Sequence, residues 1–547
     1  MGLVRKTVGE LLDEVALKFP EKEALVDLSQ GVRYSYKELL AMVNQTAKGF
    51  LKLGLKQGDH LALWSPNRWE WTMTQLALAK IGVVLISVDT SFKVEQLEYL
   101  LRQSDSRSLV MAEGMKGSEY IDMIHQLCPE VKEAIPGQLN GRALPELRNI
   151  ILISARTFDG MFHWKEILDM GRDIPDRMLA ERQGSCREDH IVTILYTSGT
   201  TGAPKGVMST HFGIINTTLA SAENQRLTEK DRLCLSVPLS HMFGCVCVTL
   251  ASVIKGATLV IPGETFDPPK VLEAIKKERC TAIYGSPGTF IGLMKDPRYR
   301  ASGVKSLRTG IMGGAQCPME VMRKVVDEMG VREIVIGYGQ TESSSWITMT
   351  HPDDPLELRV STVGRPLPNV EAKIIDPISG DEISTDAGAV GEICARGFNM
   401  KGYYKMPAAT ANAMDSEGWL HTGDLGSMDG NKYVRTAGRL KEVINKGGEV
   451  LFPTEIEEVL FRHPKILNVQ IFGVPDKELG EEVAAWIKLE EGASANEEEV
   501  RQYCKERLPI SHLPRYIKFV REFPTTPLGK VQKFKMREMV TEEYGLK

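Results

Sequence analysis

Short apolar runs punctuate the first two-thirds of the chain. HLALWSP (60–66), GVVLISVD (82–89), IVTILYTS (191–198), ATLVIP (257–262) and EIVIGYG (333–339) have the length and β-branched content of buried strands. Between them the period changes. EWTMTQLALAKI (70–81) and PKVLEAIKKERC (269–280) carry apolar residues at helical spacing, so each predicts a helix. Strands alternating with helices predict an α/β fold with largely parallel sheets.

The texture shifts near Ser361. Residues 361–437 are dense in Gly and Pro, with strand-like pieces AKIID, GEICARG and KYVRTAG, and predict a small β-rich subdomain. Residues from about 440 onward carry NVQIFGVP, AAWIKLE and NEEEVRQYCKERL, the mixture expected of a small α+β domain. The expected organisation is therefore a large N-terminal domain over 1–437, with its β-rich subdomain at about 361–437, and a small C-terminal domain over 438–547. A chain of 547 residues is long enough for more than one core.

Composition narrows the class only modestly. Hydrophobic residues make up 42% and charged residues 25%, as in ordinary globular proteins. A formal net charge of -5 gives no basic excess, so no nucleic-acid partner is expected. The nine cysteines form no CxxC pair and are odd in number, which argues against a disulfide framework or zinc site and for a reducing, cytoplasmic setting. The start, MGLVRKTVGELLDEVALKFP, is an amphipathic pattern with acids rather than a secretory leader, and lacks the hydroxyl residue of a myristoylation signal. No apolar run reaches the length of a bilayer span, so no transmembrane segment is expected. Monomer and homodimer are both left open.

The strand IVTILYTS runs into YTSGTTGAPKG (196–206). Glycines let backbone N–H groups converge on a ligand without Cβ interference. Thr197, Ser198, Thr200 and Thr201 add hydroxyls, Gly199 and Gly202 add freedom, and Lys205 adds a positive charge. Amides, hydroxyls and a lysine suit a polyphosphate. The stretch matches neither GxxxxGK[ST] nor GxGxxG. Taken alone, it reads equally as a polar surface turn.

Six further motifs stand beside it in order: PLSHMFG (238–244), GGAQCP (313–318), GYGQTESS (337–344), GWLHTGDLG (418–426), GRLKEVINKGGEVLFPTEIEEVL (438–460) and PTTPLGKVQK (524–533). Together they resemble the adenylate-forming (ANL) superfamily of acyl-CoA synthetases, adenylation domains and beetle luciferases, over essentially the whole chain. Within it the sequence is most similar to medium-chain fatty acyl-CoA synthetases. The resemblance implies a mobile C-terminal domain, a β-barrel-like subdomain, ATP, Mg²⁺ and CoA, and a two-step reaction. A carboxylate attacks the α-phosphate of ATP to give acyl-AMP and pyrophosphate, and the CoA thiol then takes the acyl group and releases AMP. Two anions must meet in the first step, so cations and fixed donors must offset their charge.

By the same resemblance, residues 197–205 hold the β- and γ-phosphates, Thr341 hydrogen-bonds the α-phosphate and Glu342 binds Mg²⁺. Tyr338 lies against adenine, with the Gly314, Ala315 and Gln316 backbone on its other face and Gly339 and Gln340 beside it. Asp424 accepts from the ribose hydroxyls and Arg439 contacts ribose or phosphate. Lys530 bridges carboxylate and α-phosphate; without its motif it reads as one lysine of a basic C-terminal stretch. His241 orients or gates the acid, which is already ionised at neutral pH and needs no base. Lys446, Gly447, Gly448 and Glu449 line the pantetheine path, and Lys441 takes the hinge position.

The acyl pocket is expected to involve His241 and Gly339 with walls of Phe243, Tyr284, Met312 and Trp346, apolar or aromatic as a pocket requires; any one of these four taken singly reads first as core packing. Acetate-specific members of the family place a tryptophan where this chain has Gly339, so a longer or bulkier acid is expected. A medium linear chain is the first expectation. A compact ring of the benzoate or cyclohexanecarboxylate type, a carrier protein in place of CoA, and a nucleotide-binding protein without catalysis are the alternatives.

Overall fold

The computed structural model describes residues 2–115, 118–197, 204–299, 304–315, 317, 319–384, 388–525 and 531–546. The chain separates into two compact units, Met1–Glu371 with Ala395–Leu420, and Ala372–Cys394 with His421–Lys547.

The first unit is built on two sheets. A nine-stranded sheet is ordered Arg365–Pro366, Thr348–Met349, Glu333–Tyr338, Thr309–Gly313, Ala282–Gly285, Arg232–Cys234, Thr258–Ile261, Glu23–Asp27, Val32–Ser35. A seven-stranded sheet is ordered Lys205–Thr210, Ile191–Thr197, Val84–Ser87, His60–Trp64, Ser108–Ala112, Asn149–Ile153, Phe162–His163. Interior pairs are parallel, as the βα alternation predicts, and antiparallel pairing is confined to the flanks.

Every apolar run singled out above becomes a strand. Val84–Ser87, Ser108–Ala112 and Thr309–Gly313 are buried at every position, which is why they read as continuous rather than alternating patterns. The helix Trp69–Ile81 is buried along almost its whole length and stops at Gly82, whose φ of 68° suits a glycine C-terminal cap. Its buried Lys80 is held by Asp13. The amphipathic start becomes the helix Val8–Lys18, fixed by a reciprocal capping box between Thr7 and Glu10. The core of the seven-stranded sheet contains Trp64 stacked on Tyr120 at 3.7 Å.

In the C-terminal half, Glu371–Ile375, Gly391–Arg396, Leu420–Met428 and Val434–Arg439 form a four-stranded sheet in that order. A second sheet joins Glu449–Leu451, Ile444–Lys446, Gly480–Leu489, Ile466–Asp476 and Tyr516–Phe519. The helices Pro453–Phe461 and Glu497–Lys505 bury Ile456, Leu460, Val500 and Cys504 against it. The result is mixed α/β with a large N-terminal part and a small C-terminal one. No helix among the described residues is long and apolar enough to cross a membrane.

Candidate active site

Ligands of open α/β sheets gather beyond the carboxyl ends of the strands. In the first unit three strands end on or directly before expected site residues. Ile191–Thr197 pairs antiparallel with Lys205–Thr210, with Thr197 directly opposite Lys205. These two residues close the hairpin that carries the glycine- and hydroxyl-rich loop. Ser198, Gly199, Thr200, Thr201 and Gly202 of that loop, with Gln316 and Lys530, lie outside the described residues.

Thr309–Gly313 and Glu333–Tyr338 run parallel, with Gly313 opposite Gly337. Tyr338 and the exposed Gly314 and Ala315 therefore emerge side by side at neighbouring strand ends. After Tyr338 the chain turns tightly. Gln340 N–H donates to Ser343 Oγ at 3.1 Å, and Thr341–Ser343 forms a single 3₁₀ turn with Thr341 buried. Ser344 and Ser345 follow at φ 54° and 120°. Two successive non-glycine residues at positive φ store strain of the kind that clusters at functional sites.

Glu342 and Lys205 are joined by a residue that sequence reasoning missed. The Tyr403 hydroxyl donates to Glu342 Oε1 at 2.8 Å, and Lys205 Nζ sits 4.9 Å from the centre of the Tyr403 ring. Burial, reinforced by Glu342, raises the Tyr403 pKa, so its phenol stays protonated as a donor. The segment around Tyr403 lies along the strand Lys205–Thr210. Tyr404 N–H donates to Gly206 O at 2.8 Å and Met208 N–H to Gly402 O at 3.0 Å. Met400 N–H also donates to Glu342 O at 2.7 Å. Nothing local in KGYYK announces this role; only that pairing, about 200 residues distant, creates it.

The donor set at Glu342 fits a magnesium ion. One carboxylate oxygen is engaged by Tyr403, which leaves Oε2 for a hard cation. Magnesium commonly takes one or two protein carboxylates and fills its other positions with phosphate oxygens and water.

Three of the expected acyl-pocket residues come together. Phe243 stacks on Tyr284 at 6.2 Å and meets Trp346 edge-on at 5.4 Å. Trp346 lies over Gly313 and Gly337, where a Cβ would come within 3.4 and 2.8 Å of its ring. His241 is exposed two residues before Phe243, whose N–H donates to His241 Nδ1 at 3.1 Å. The accepting Nδ1 carries no proton, which leaves the neutral ring's proton on Nε2.

Met312 does not join them. Strand alternation turns it to the opposite face of the sheet, where it packs with Ile283, Ile334 and Ile336 under the helices. It is core packing. Gly339 also has a different reason from the one expected. A Cβ there would lie 2.0 Å from Ser345 O, so glycine is required by the close approach of the strained turn.

The second unit carries the remaining positions. Asp424 and Arg439 face each other across Leu420–Met428 and Val434–Arg439, and Arg439 Nε lies 3.2 Å from Asp424 Oδ1. Asp424 is buried. Lys441 is exposed within the short turn Leu440–Glu442. Gly447 and Gly448, at φ 62° and 87°, form the two-residue turn of the hairpin Ile444–Lys446 to Glu449–Leu451. Lys446 pairs with Glu482, and Glu449 accepts from Ser511 Oγ at 3.0 Å.

Comparison with known proteins identifies the family. Residues 12–404 match the AMP-binding enzyme family and residues 455–530 the AMP-binding enzyme C-terminal domain. The chain belongs to this family of adenylate-forming enzymes. It is 44% identical to the putative acyl-CoA synthetase YngI of Bacillus subtilis (strain 168), covering 100% of this chain and 99% of that protein. It is 38% identical to the mitochondrial medium-chain acyl-CoA ligase ACSF2 of Danio rerio, over 100% of this chain and 90% of that one. Among solved structures, ATP-bound MatB from Rhodopseudomonas palustris superposes with a TM-score of 0.82 at 25% identity, covering 98% of this chain and 99% of MatB. The anthranilate CoA ligase AuaEII with anthranoyl-AMP shares the fold, with a TM-score of 0.86 at 24% identity over 100% of this chain and 99% of that one.

Proposed function

We propose that the chain is an ATP-dependent acyl-CoA synthetase acting on a medium-chain fatty acid. It forms the acyl-AMP and pyrophosphate, then passes the acyl group to CoA with release of AMP. The full-length identity to YngI and to the medium-chain ligase carries this reading.

The mechanism follows from charge. The carboxylate is an anion, and attack at phosphorus builds further negative charge on the phosphoryl oxygens and the leaving pyrophosphate. Lys205, held over the Tyr403 ring, supplies positive charge to the pyrophosphate portion. Glu342 would hold Mg²⁺, which when bound would neutralise phosphate charge. Thr341 donates to the α-phosphate from its buried turn. Asp424 accepts from the ribose hydroxyls through two oxygens, and Tyr338 lies against adenine. Lys530 bridges carboxylate and α-phosphate, an assignment that rests on PTTPLGKVQK. Phe243, Tyr284 and Trp346 border the acyl chain, and His241 orients the carboxylate.

In the second step the hairpin 446–449 lines the path of the pantetheine arm. Lys441 is the hinge about which the small domain changes position between steps.

The test of substrate class is a panel of acids from C2 to C16 with aromatic and alicyclic rings, followed by pyrophosphate release. Highest kcat/KM on medium linear acids is expected. A preference for compact rings would overturn the chain-length assignment.

A further inference from the structure

Asp424 needs a fixed place if it is to hold a ribose, yet the residue before it has no side chain. Gly423 sits at φ 69°, and a Cβ built on it would meet nothing within 4 Å. Backbone ties alone can hold such a residue. Glu392, on the neighbouring strand Gly391–Arg396, provides one: Gly423 N–H donates to its Oε1 at 2.9 Å. Its other oxygen, Oε2, lies 3.0 Å from His421 Nδ1. One carboxylate thus grips the turn two residues apart, at 421 and at 423.

Thr422, between them, donates from Oγ1 to Ile393 O at 2.6 Å, and Asp424 N–H donates to Thr422 Oγ1 at 3.1 Å. Every residue of the turn 421–424 is therefore held, three of them from the strand carrying Glu392. Glu392 is only 7% exposed. A carboxylate buried that far is costly unless hydrogen-bonded, and here both oxygens are engaged. Arg439 on the other neighbouring strand faces Asp424 and offsets the second acid.

The geometry points to Glu392 as a positioning residue for ATP: through Gly423 and His421 it sets the backbone that aims Asp424 at the ribose. This rests on the ribose role proposed for Asp424. It adds a requirement for an acid in GEICARG that makes no contact with nucleotide itself. Cys394, two residues along the same strand, brings its Sγ to 3.7 Å from His421 Nδ1, and the three donor atoms lie within 4.8 Å of one another. A soft divalent cation is the competing occupant of this cluster.

A double-mutant cycle on the full-length enzyme decides the matter. Glu392→Ala is expected to raise KM for ATP about tenfold while leaving KM for the acid within twofold. In an Asp424→Asn background the same change should raise KM for ATP less than twofold, because its effect passes through Asp424. Glu392→Gln, which still offers Gly423 a carbonyl acceptor, should stay within threefold of the parent. Should Glu392→Ala fail to fold, Glu392→Asp, one methylene short of both partners, takes its place in the cycle. Equal factors in both backgrounds, or a parallel rise in KM for acid and ATP, would overturn the inference. An unchanged KM for ATP in Asp424→Asn alone would instead overturn the ribose role itself, and the clamp's purpose with it. Metal analysis of the same preparations completes the test. Zinc at one per chain that disappears in Cys394→Ala would replace the clamp with a metal centre; trace metal in both supports the clamp.

Discussion

Tyr403 shows how much of the site rests on one uncharged side chain. Its hydroxyl fixes one oxygen of Glu342 and its ring carries the Lys205 ammonium. Tyr403→Phe keeps the ring and removes the hydrogen bond, so the magnesium requirement should rise by about tenfold while KM for the acid stays put; a hydrogen bond to a charged group is worth about 1.5–3 kcal/mol. Titrating initial rate against Mg²⁺ reads this directly, and an unchanged requirement would remove Tyr403 from the site. Gly337 offers a probe of the acyl pocket that Gly339 does not, since a side chain at Gly339 collides with backbone at 2.0 Å. Gly337→Ala pushes instead on the Trp346 ring at 2.8 Å. Overpacking of this kind costs about 1–3 kcal/mol. The optimum acid should change in length with KM for ATP unmoved; an unshifted chain-length profile would show that Trp346 does not border the acid.

At the scale of elements, periodicity was a faithful guide where one face or none meets solvent. HLALWSP, ATLVIP and EIVIGYG became His60–Trp64, Thr258–Ile261 and Glu333–Tyr338 because buried parallel strands need continuous apolar residues. Elsewhere the signal was too local. FGCVCVTL winds as a π-helix over Phe243–Leu250, a largely apolar run with no distinguishing period. The antiparallel strand Lys205–Thr210 is hidden in the sequence because its polar Ser209 and Thr210 are buried, Thr210 as the cap of the helix His211–Asn224, so no alternation marks it. The candidate site divides the same way. The motifs mark their residues in the sequence, whereas the hydrogen bonds of Tyr403 and Glu392 come from long-range pairing that no local pattern encodes. The sequence does not show that Met312 faces away from the pocket, because alternation within a fully buried strand leaves no mark of which face is which. The turn Leu440–Glu442 bears its own prediction. Proline at Lys441 fixes φ there and restricts the preceding residue. Lys441→Pro should keep acyl-AMP formation within threefold and lower thioester formation from supplied acyl-AMP at least tenfold; equal loss of both half-reactions would contradict the hinge assignment.

At the scale of the whole molecule, stability should carry a histidine signature. His211 is buried, with its Nδ1 accepting Val8 N–H at 3.2 Å, and burial depresses its pKa to about 3. An unfolded histidine titrates near about 6.5. Between these values the unfolded chain binds a proton that the folded one refuses, so stability is full above about 6.5 and falls as pH drops towards 3. The slope from this one group approaches about 1.4 kcal/mol per pH unit. His211→Gln should flatten the dependence of the unfolding midpoint on pH between 6 and 4; an unaltered slope would mean that His211 takes up its proton in the folded state.

Acid activation and transfer to CoA by one chain are tested by AMP and pyrophosphate release, measured together with a medium-chain acid, ATP and Mg²⁺, first without CoA and then with it. A single enzyme-limited burst of pyrophosphate is expected without CoA, and sustained, equal release of AMP and pyrophosphate, with acyl-CoA formed, when it is added. A burst that CoA does not relieve would contradict this and point to a carrier-protein acceptor.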